Sequence, residues 1–321
     1  MDLWTLADLC TPWCIHVAAT LRITEHLAAG NTTVPQLAAA CSADPDALHR
    51  LLRHLVSKGV FEEPEPGCFA INDLARQLPD FRLGFDLDSF GGRMAGAWST
   101  LLTAVRTGSS AYHEAFGRPF WDDLDAHPKL AADFDALMGP AGHGPPDPAI
   151  LPDPAEWDAI RTVVDVGGGT GSLLAEILRA HPHLHGILVD LPRTIARSTE
   201  TFRTAGVEDR VRTVGQSFFD PLPAGADLYL LKSVLDDWPD PEATAILKRC
   251  ADAARPTGRV LFLTNAGPGE PASPELLMLV LVGGRGRAID EYRVMTRNAG
   301  LDLRSVTRVP SGRYVVDCRP I

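Results

Sequence analysis

VVDVGGGTGSLLAEIL, residues 163–178, sets four glycines, Gly167, Gly168, Gly169 and Gly171, between an apolar β-branched run and a helical one. That order predicts a strand, a tight turn and a helix N-terminus. Glycine at these positions lets backbone approach a ligand closely, and the N–H groups of the first helical turn are free to face it. Many nucleotide-bearing ligands use such a turn, so its flanks must discriminate. The dinucleotide fingerprint wants Gly or Ala at position 172, where this chain has Ser172. Asp165 lies two residues before the first glycine, and an acid there is a poor neighbour for pyrophosphate.

A carboxylate at a strand tip suits a cation, and the amino-acid end of S-adenosylmethionine offers one. The next strand candidate, GILVDLP, ends with Asp190, 25 positions after Asp165. An acid at that spacing suits the two hydroxyls of a ribose, although it could also cap the strand end. A third segment, GQSFFDPLP, brings Ser217 and Phe218 to the following strand end, where adenine would lie; Phe218 could equally be core. VRTVG, ADLYLLKSVL and RVLFLTN add further apolar runs, and SLLAEILRAH and PEATAILKRCADAAR are helical segments between them. Strands alternating with helices predict an α/β fold, a Rossmann-like doubly wound parallel sheet with ligands at the carboxyl ends of its strands.

Upstream the rhythm differs. LADLCTPWCIHVAATLRITEHLAAG reads as one helical segment ending at Gly30, TTVPQLAAAC as a helix capped by Thr33, and DPDALHRLLRHLVSKG as a third starting near Asp44. VFEEPEPGCFAIN then reads as two short strands around a Pro/Gly turn, which completes a winged-helix pattern. Such modules bind DNA or pair with a second copy. Arg50, Arg53 and Lys58 would supply the positive charge for DNA, but the whole chain carries a formal net charge of −11. A surplus of that sign opposes phosphate neutralisation, so pairing is the expectation. We divide the chain into 1–85, a winged-helix dimerisation domain; 86–153, a helical segment and linker roofing the substrate pocket; and 154–321, the cofactor-binding domain. FWDDLDAHPKLAADFDALM reads as one amphipathic helical segment, and GPAGHGPPDPAILPDP, residues 139–154, as a hinge.

Hydrophobic residues make up 45% and charged residues 22%, enough apolar material for full cores. No apolar run reaches membrane-spanning length, and MDLWTLADLC lacks the basic start of a signal peptide, so neither membrane nor export is expected. The six cysteines form no CxxC pair, which predicts free thiols in the cytoplasm and no metal site.

With these segments in order, the chain resembles the class I S-adenosylmethionine-dependent methyltransferases. More narrowly, it is similar to the small-molecule O-methyltransferases of plant phenylpropanoid and bacterial polyketide pathways. FGRPFWDDL, DVGGGTG, VDLP, SFFDPLP, LLKSVLDDWPD, RVLFL and LVGGRGRAIDEYRVMTRNAGL carry the resemblance across nearly the whole length. It implies S-adenosyl-L-methionine as cofactor, with Asp165 and the Gly167, Gly168, Gly169 and Gly171 turn on its methionine part and Asp190 on its ribose. It also implies Leu191 packing beside the cofactor, Ser217 and Phe218 at its adenine, and Lys232 as a further contact. The partners implied are a small-molecule substrate and a second copy of the chain as homodimer, with no nucleic acid and no membrane.

One stretch departs from the pattern. The plant members place a His before the Asp-Trp pair, and here that position is Asp236, in SVLDDWPD; the supporting acids fall on Thr264 and Gly286. Ordinary Asp is a weaker base than His by about 2.6 units, or roughly 3.5 kcal/mol of proton affinity. Burial beside Asp237 would recover part of that. Asp236 is therefore the candidate catalytic residue, as base or as hydrogen-bond acceptor. Asp237 is expected to brace the loop and Asp240 to cap the following helix. His113 and His143 are alternative bases. The loss of the His also admits a homologue that keeps the cofactor but hydroxylates, decarboxylates or rearranges its substrate. A winged-helix ligand-sensing regulator is a more distant alternative.

Overall fold

The computed structural model describes residues 2–140, 146, 148–151 and 153–321. They pack into two compact units, Met1–Gly96 with Lys129–Leu137, and Ala97–Pro128 with Met138–Ile321.

In the first unit, helices Cys10–Thr20, Ile23–Ala28, Val34–Cys41 and Pro45–Ser57 precede the antiparallel hairpin of β1 (Phe61–Glu65) and β2 (Cys68–Ile71). The stretch expected as one helix up to Gly30 is broken, because Arg22 adopts a left-handed φ of 54° that no α-helix continues through. Thr33 caps its helix through a partner: Gln36 Oε1 accepts from the Thr33 backbone N–H at 3.1 Å. Asp44 accepts from the Ala47 N–H at 2.9 Å. Ile23, Leu37, Leu52, Leu55, Phe61 and Phe69 are fully buried between these elements. The basic residues offered for DNA are tied to acids: Arg50 to Asp46, Arg53 to Glu63 and Lys58 to Asp8. The N-terminal Leu3, Trp4, Leu6 and Leu9 instead leave a strongly exposed apolar surface, Trp4 at 89%.

The second unit is built on a seven-stranded sheet. Its strands are β3 (Thr162–Val166), β4 (His185–Asp190), β5 (Val211–Gly215), β6 (Leu228–Lys232), β7 (Arg259–Thr264), β8 (Leu301–Arg308) and β9 (Tyr314–Pro320). They lie in the order β5-β4-β3-β6-β7-β9-β8, parallel except that β9 runs against both neighbours. Side chains alternate between two cores, as the period of a strand requires. Val164 and Val166, Tyr229 and Leu231, and Val260 and Phe262 enter one core. Val163, Leu228 with Leu230, and Leu261 enter the other. Helix Ser172–Ala180 lays Leu173, Leu174, Ile177 and Leu178 on the second core, each burial contributing roughly 2 kcal/mol. The chain steps from β3 outward to β4 and β5, then returns to the other side of β3 with β6. Strand order therefore reverses there, and the crevice at the carboxyl ends of β3 and β6 is where such sheets hold ligands.

The single helix read over 120–138 is two, Phe120–Ala126 and Pro128–Met138. The residue before a proline avoids the α region, and His127 takes φ −128° and ψ 85°. The hinge read at 139–154 lies partly outside the described residues, as does His143. Among the described residues, no helix is long and apolar enough to cross a membrane.

Candidate active site

β3 ends at Val166, and its penultimate residue, Asp165, points into the sheet's end rather than into water, at 1% exposure. Its Oδ2 is buried and has no hydrogen-bond partner among the described residues. Burial first, and then the nearby Asp190 carboxylate, push its pKa up to about 7, while Lys232 opposes them. Gly168 passes directly over this carboxyl. A Cβ there would stand 2.4 Å from Asp165 Cγ and 2.6 Å from Leu188 Cδ1, so only glycine fits. Gly171 opens the helix with φ +83°, and a Cβ on it would lie 2.3 Å from Phe202 Cζ.

Asp190, the last residue of β4, ties this turn to the next strand. Its Oδ2 accepts from the Gly169 N–H at 2.8 Å and its Oδ1 from the Leu191 N–H at 2.7 Å. The Gly167 N–H donates to Val189 O at 2.8 Å. The Gln216 N–H donates to Asp190 O at 2.9 Å, which brings the end of β5 alongside. Ser217 Oγ accepts from the Phe219 N–H at 3.2 Å, so the hydroxyl shapes its own turn. The Phe218 ring meets Trp238 edge-on at 5.8 Å and lies 3.3 Å from where a Gly167 Cβ would stand. Lys232 closes β6 half-buried; burial, then Arg313, hold its ammonium below the usual lysine range, against the pull of Asp165. Asp165, Gly167, Gly168, Gly169, Gly171, Asp190, Leu191, Ser217, Phe218 and Lys232 thus lie on the turns and strand ends along the carboxyl edge of β3, β4, β5 and β6.

The residues present fit S-adenosyl-L-methionine. A buried carboxylate oxygen without a partner calls for a cationic group, and the turn above it has no room for a side chain. A dinucleotide would bring pyrophosphate to that acid.

Beyond β6 the chain makes a short 3-10 turn, Leu235–Asp237. Asp236 Oδ1 accepts from Tyr292 Oη at 2.5 Å and lies 3.8 Å from Arg287 Nη1. Burial raises the Asp236 carboxyl, with Tyr292 and Arg287 opposing it. Burial, then the charge of Asp236, push Asp237 up to about 8. Glu275 presses on both acids from the start of helix Leu276–Leu281. Asp240 is the first residue of helix Asp240–Ala254, but its side chain does not cap it; Pro239 precedes the helix without a side-chain bond. Asp240 instead accepts from Arg285 at 3.1 and 2.8 Å and from Arg287 at 2.9 Å, which hold it below the usual carboxylate range.

Trp238 stacks on Trp121 from helix Phe120–Ala126, with ring centres 5.9 Å apart and planes 14° from parallel. Of the two alternative bases, His113 is exposed on helix Tyr112–Phe116 and has no place in this turn. Gly286 explains why no acid occupies its position: a Cβ there would meet Ser273 O at 2.8 Å and Glu275 Cγ at 3.1 Å. The sequence reading passed over Arg287, Tyr292 and Glu275. The two arginines of GGRGRA, directly after the apolar run LLMLVLV, were the available signal, since an arginine that becomes buried must find partners.

Known proteins agree with this architecture. An O-methyltransferase domain matches residues 98–302, and an O-methyltransferase dimerisation domain matches residues 4–78. The chain is 41% identical over 312 residues to the 2,7-dihydroxy-5-methyl-1-naphthoate 7-O-methyltransferase of Streptomyces carzinostaticus, covering 95% of this chain and 93% of that one. It is 40% identical over 317 residues to the aclacinomycin 10-hydroxylase of Streptomyces purpurascens, covering 94% and 83%. An O-methyltransferase of neocarzinostatin biosynthesis, crystallised with S-adenosylmethionine and 2-hydroxy-5-methyl naphthoic acid, superposes with a TM-score of 0.92. That match has 39% identity and covers 100% of this chain and 99% of the other. With a glycine turn over an unpartnered carboxylate and these matches along its length, the chain belongs to the S-adenosyl-L-methionine-dependent O-methyltransferase family and carries that family's dimerisation domain.

Proposed function

We propose that this chain methylates a phenolic hydroxyl of a small polycyclic aromatic natural product, and that it works as a homodimer in the cytoplasm. The observation that carries the reading is Asp165, a buried carboxylate whose free oxygen lies under a turn only glycine can form. S-adenosyl-L-methionine, when bound, supplies a methyl group on a sulfonium that a nucleophile can displace in line. Asp165 and the backbone of the glycine turn would hold its methionine part, and Asp190 its ribose hydroxyls. Leu191, Ser217, Phe218 and Lys232 would complete the contacts.

The protein's chemical task is then to place the hydroxyl and take its proton. Asp236 is the residue we assign to that step. Its Oδ1 is engaged by Tyr292, so Oδ2 is the oxygen left to accept. Burial raises the proton affinity of this carboxyl and so moves it toward the basicity a phenol requires. The naphthoate and naphthoic acid in the names of two relatives support a fused aromatic acceptor. The exposed Leu3, Trp4, Leu6 and Leu9 and the dimerisation-domain match support pairing of two chains.

A second reading, that the cofactor is kept while another reaction is catalysed, is favoured by the 40%-identical relative that is a hydroxylase. Incubation with methyl-labelled S-adenosyl-L-methionine and a panel of hydroxynaphthoic acids separates the two. We expect labelled ether and S-adenosylhomocysteine in equal amounts, with Asp236→Asn slowing turnover by about 100-fold. Cofactor binding without S-adenosylhomocysteine across the panel would favour the second reading, and an unchanged rate in Asp236→Asn would remove that residue from the chemistry.

A further inference from the structure

Arg287 is the largest fully buried side chain of the described residues, although it carries a charge. Its guanidinium is spent almost wholly on the SVLDDWPD loop. Nη1 donates to Leu235 O at 2.8 Å and Nη2 to Trp238 O at 2.6 Å, the carbonyls on either side of the Asp236–Asp237 pair. Nε donates to Asp240 Oδ1 at 2.9 Å, and Nη1 also reaches Arg285 O at 3.3 Å. The fixed fork of a guanidinium spans two carbonyls and a carboxylate at once, which a lysine ammonium cannot do. The same group stands 3.8 Å from Asp236 Oδ1.

We propose that Arg287 is a positioning residue for the reaction: its fork fixes the loop that carries Asp236 and so the direction in which that carboxyl faces, and its positive charge stands beside it. This rests on the methyl-transfer reading and names a residue that acts through another. Other groups also bear on Asp236. Tyr292 donates to it from helix Ile289–Asn298, Arg313 adds positive charge from the β8–β9 turn, and Asp237 and Glu275 add negative charge from the loop itself and from the start of helix Leu276–Leu281. Among these, Arg287 alone contacts both the carboxylate and the backbone that carries it.

The two roles separate by substitution in the full chain. Arg287→Lys keeps the charge and loses the fork, whereas Arg287→Gln keeps an amide donor and loses the charge. The titration of Asp236 is read as the difference in urea stability between each protein and its Asp236→Asn counterpart across pH 4–9. The positive charge lowers the proton affinity of Asp236, so its removal moves that titration upward. We expect a rise of about 1 pH unit in Arg287→Gln and a clearly smaller one in Arg287→Lys.

With 1,4-dihydroxy-2-naphthoic acid as acceptor, both variants should lose about 10-fold or more in kcat. Their KM for S-adenosyl-L-methionine should stay within threefold, because the cofactor crevice is untouched. Loss of stability in both variants with no displacement of the Asp236 titration would overturn the proposal and leave Arg287 a purely structural residue. A wild-type protein that binds cofactor but does not turn over bears on the methyl-transfer reading alone, since the urea titration still decides the role of Arg287.

Discussion

Asp165→Asn is expected to give a ligand-free protein that is harder to unfold at pH 8 and a crevice that barely holds S-adenosyl-L-methionine. The carboxyl is raised from its usual 3.8 to about 7, by burial before all else. Between those values the folded state keeps a proton that the unfolded state gives up. The stability linked to Asp165 is therefore full below pH 4 and is lost as pH rises through 7. That difference corresponds to ~4 kcal/mol. Asparagine does not titrate, so the variant and the wild type should match near pH 4 and diverge progressively up to pH 7. A cationic ligand reverses the balance by giving the carboxylate its missing partner. Removing one member of such a buried pair costs about 2–5 kcal/mol, so affinity should fall by roughly 100-fold. Urea unfolding at several pH values, with calorimetric titration of S-adenosylhomocysteine, measures both sides. Equal stability at pH 8, or an affinity within threefold of wild type, would count against Asp165 as the cation's partner.

Gly168→Ala should do the most damage for the fewest atoms. Its single methyl would stand 2.4 Å from the Asp165 carboxyl and 2.6 Å from Leu188. Neither neighbour can retreat easily, since Asp165 and Leu188 are paired residues of adjacent strands and both are buried. Forced overpacking of this kind costs about 1–3 kcal/mol, and it also displaces the turn that must lie against the ligand. Gly169→Ala is the control. Its Cβ meets nothing within 4 Å, although its φ of +62° still disfavours alanine by about 1 kcal/mol. Thermal unfolding should rank the pair clearly, with Gly168→Ala the lower, and the same variant should lose S-adenosylhomocysteine binding by at least ~30-fold. A Gly168→Ala protein as stable as Gly169→Ala would mean the turn relaxes more freely than its packing implies.

The sheet that holds this crevice was legible wherever one physical rule dominated. A strand buried on both faces reads as a continuous apolar run, so Leu228–Leu231 and Val260–Leu263 announced themselves. β8 and β9 did not, because LDLRSVTR and YVVDCRP mix charged with apolar residues as partly exposed strands do. Helix breaks were hidden for a different reason. His127–Pro128 interrupts an otherwise good periodicity, and Arg22 turns left-handed without a glycine to mark it. In the candidate site, the glycine turn and the strand-end acids depend on local order along the chain, and local order is visible. The surroundings of Asp236 depend on residues that the fold brings from 51 and 56 positions away, Arg287 and Tyr292, and no local pattern pairs them with an acid. The same holds for Gly286, whose lack of a side chain makes sense only against Glu275 and Ser273.

The order β7-β9-β8 has a consequence for how the chain is made. β9 lies between two strands synthesised before it and hydrogen-bonds to both. Until residues 314–320 emerge, β8 has no neighbour in the sheet and the far edge of β7 is open. That half of the sheet therefore closes only once β9 is available to bond to both β7 and β8. Until then the open edge of β7 invites pairing with another chain. Helix Asp240–Ala254 packs on β6, β7, β8 and β9 and covers one face of that part of the sheet.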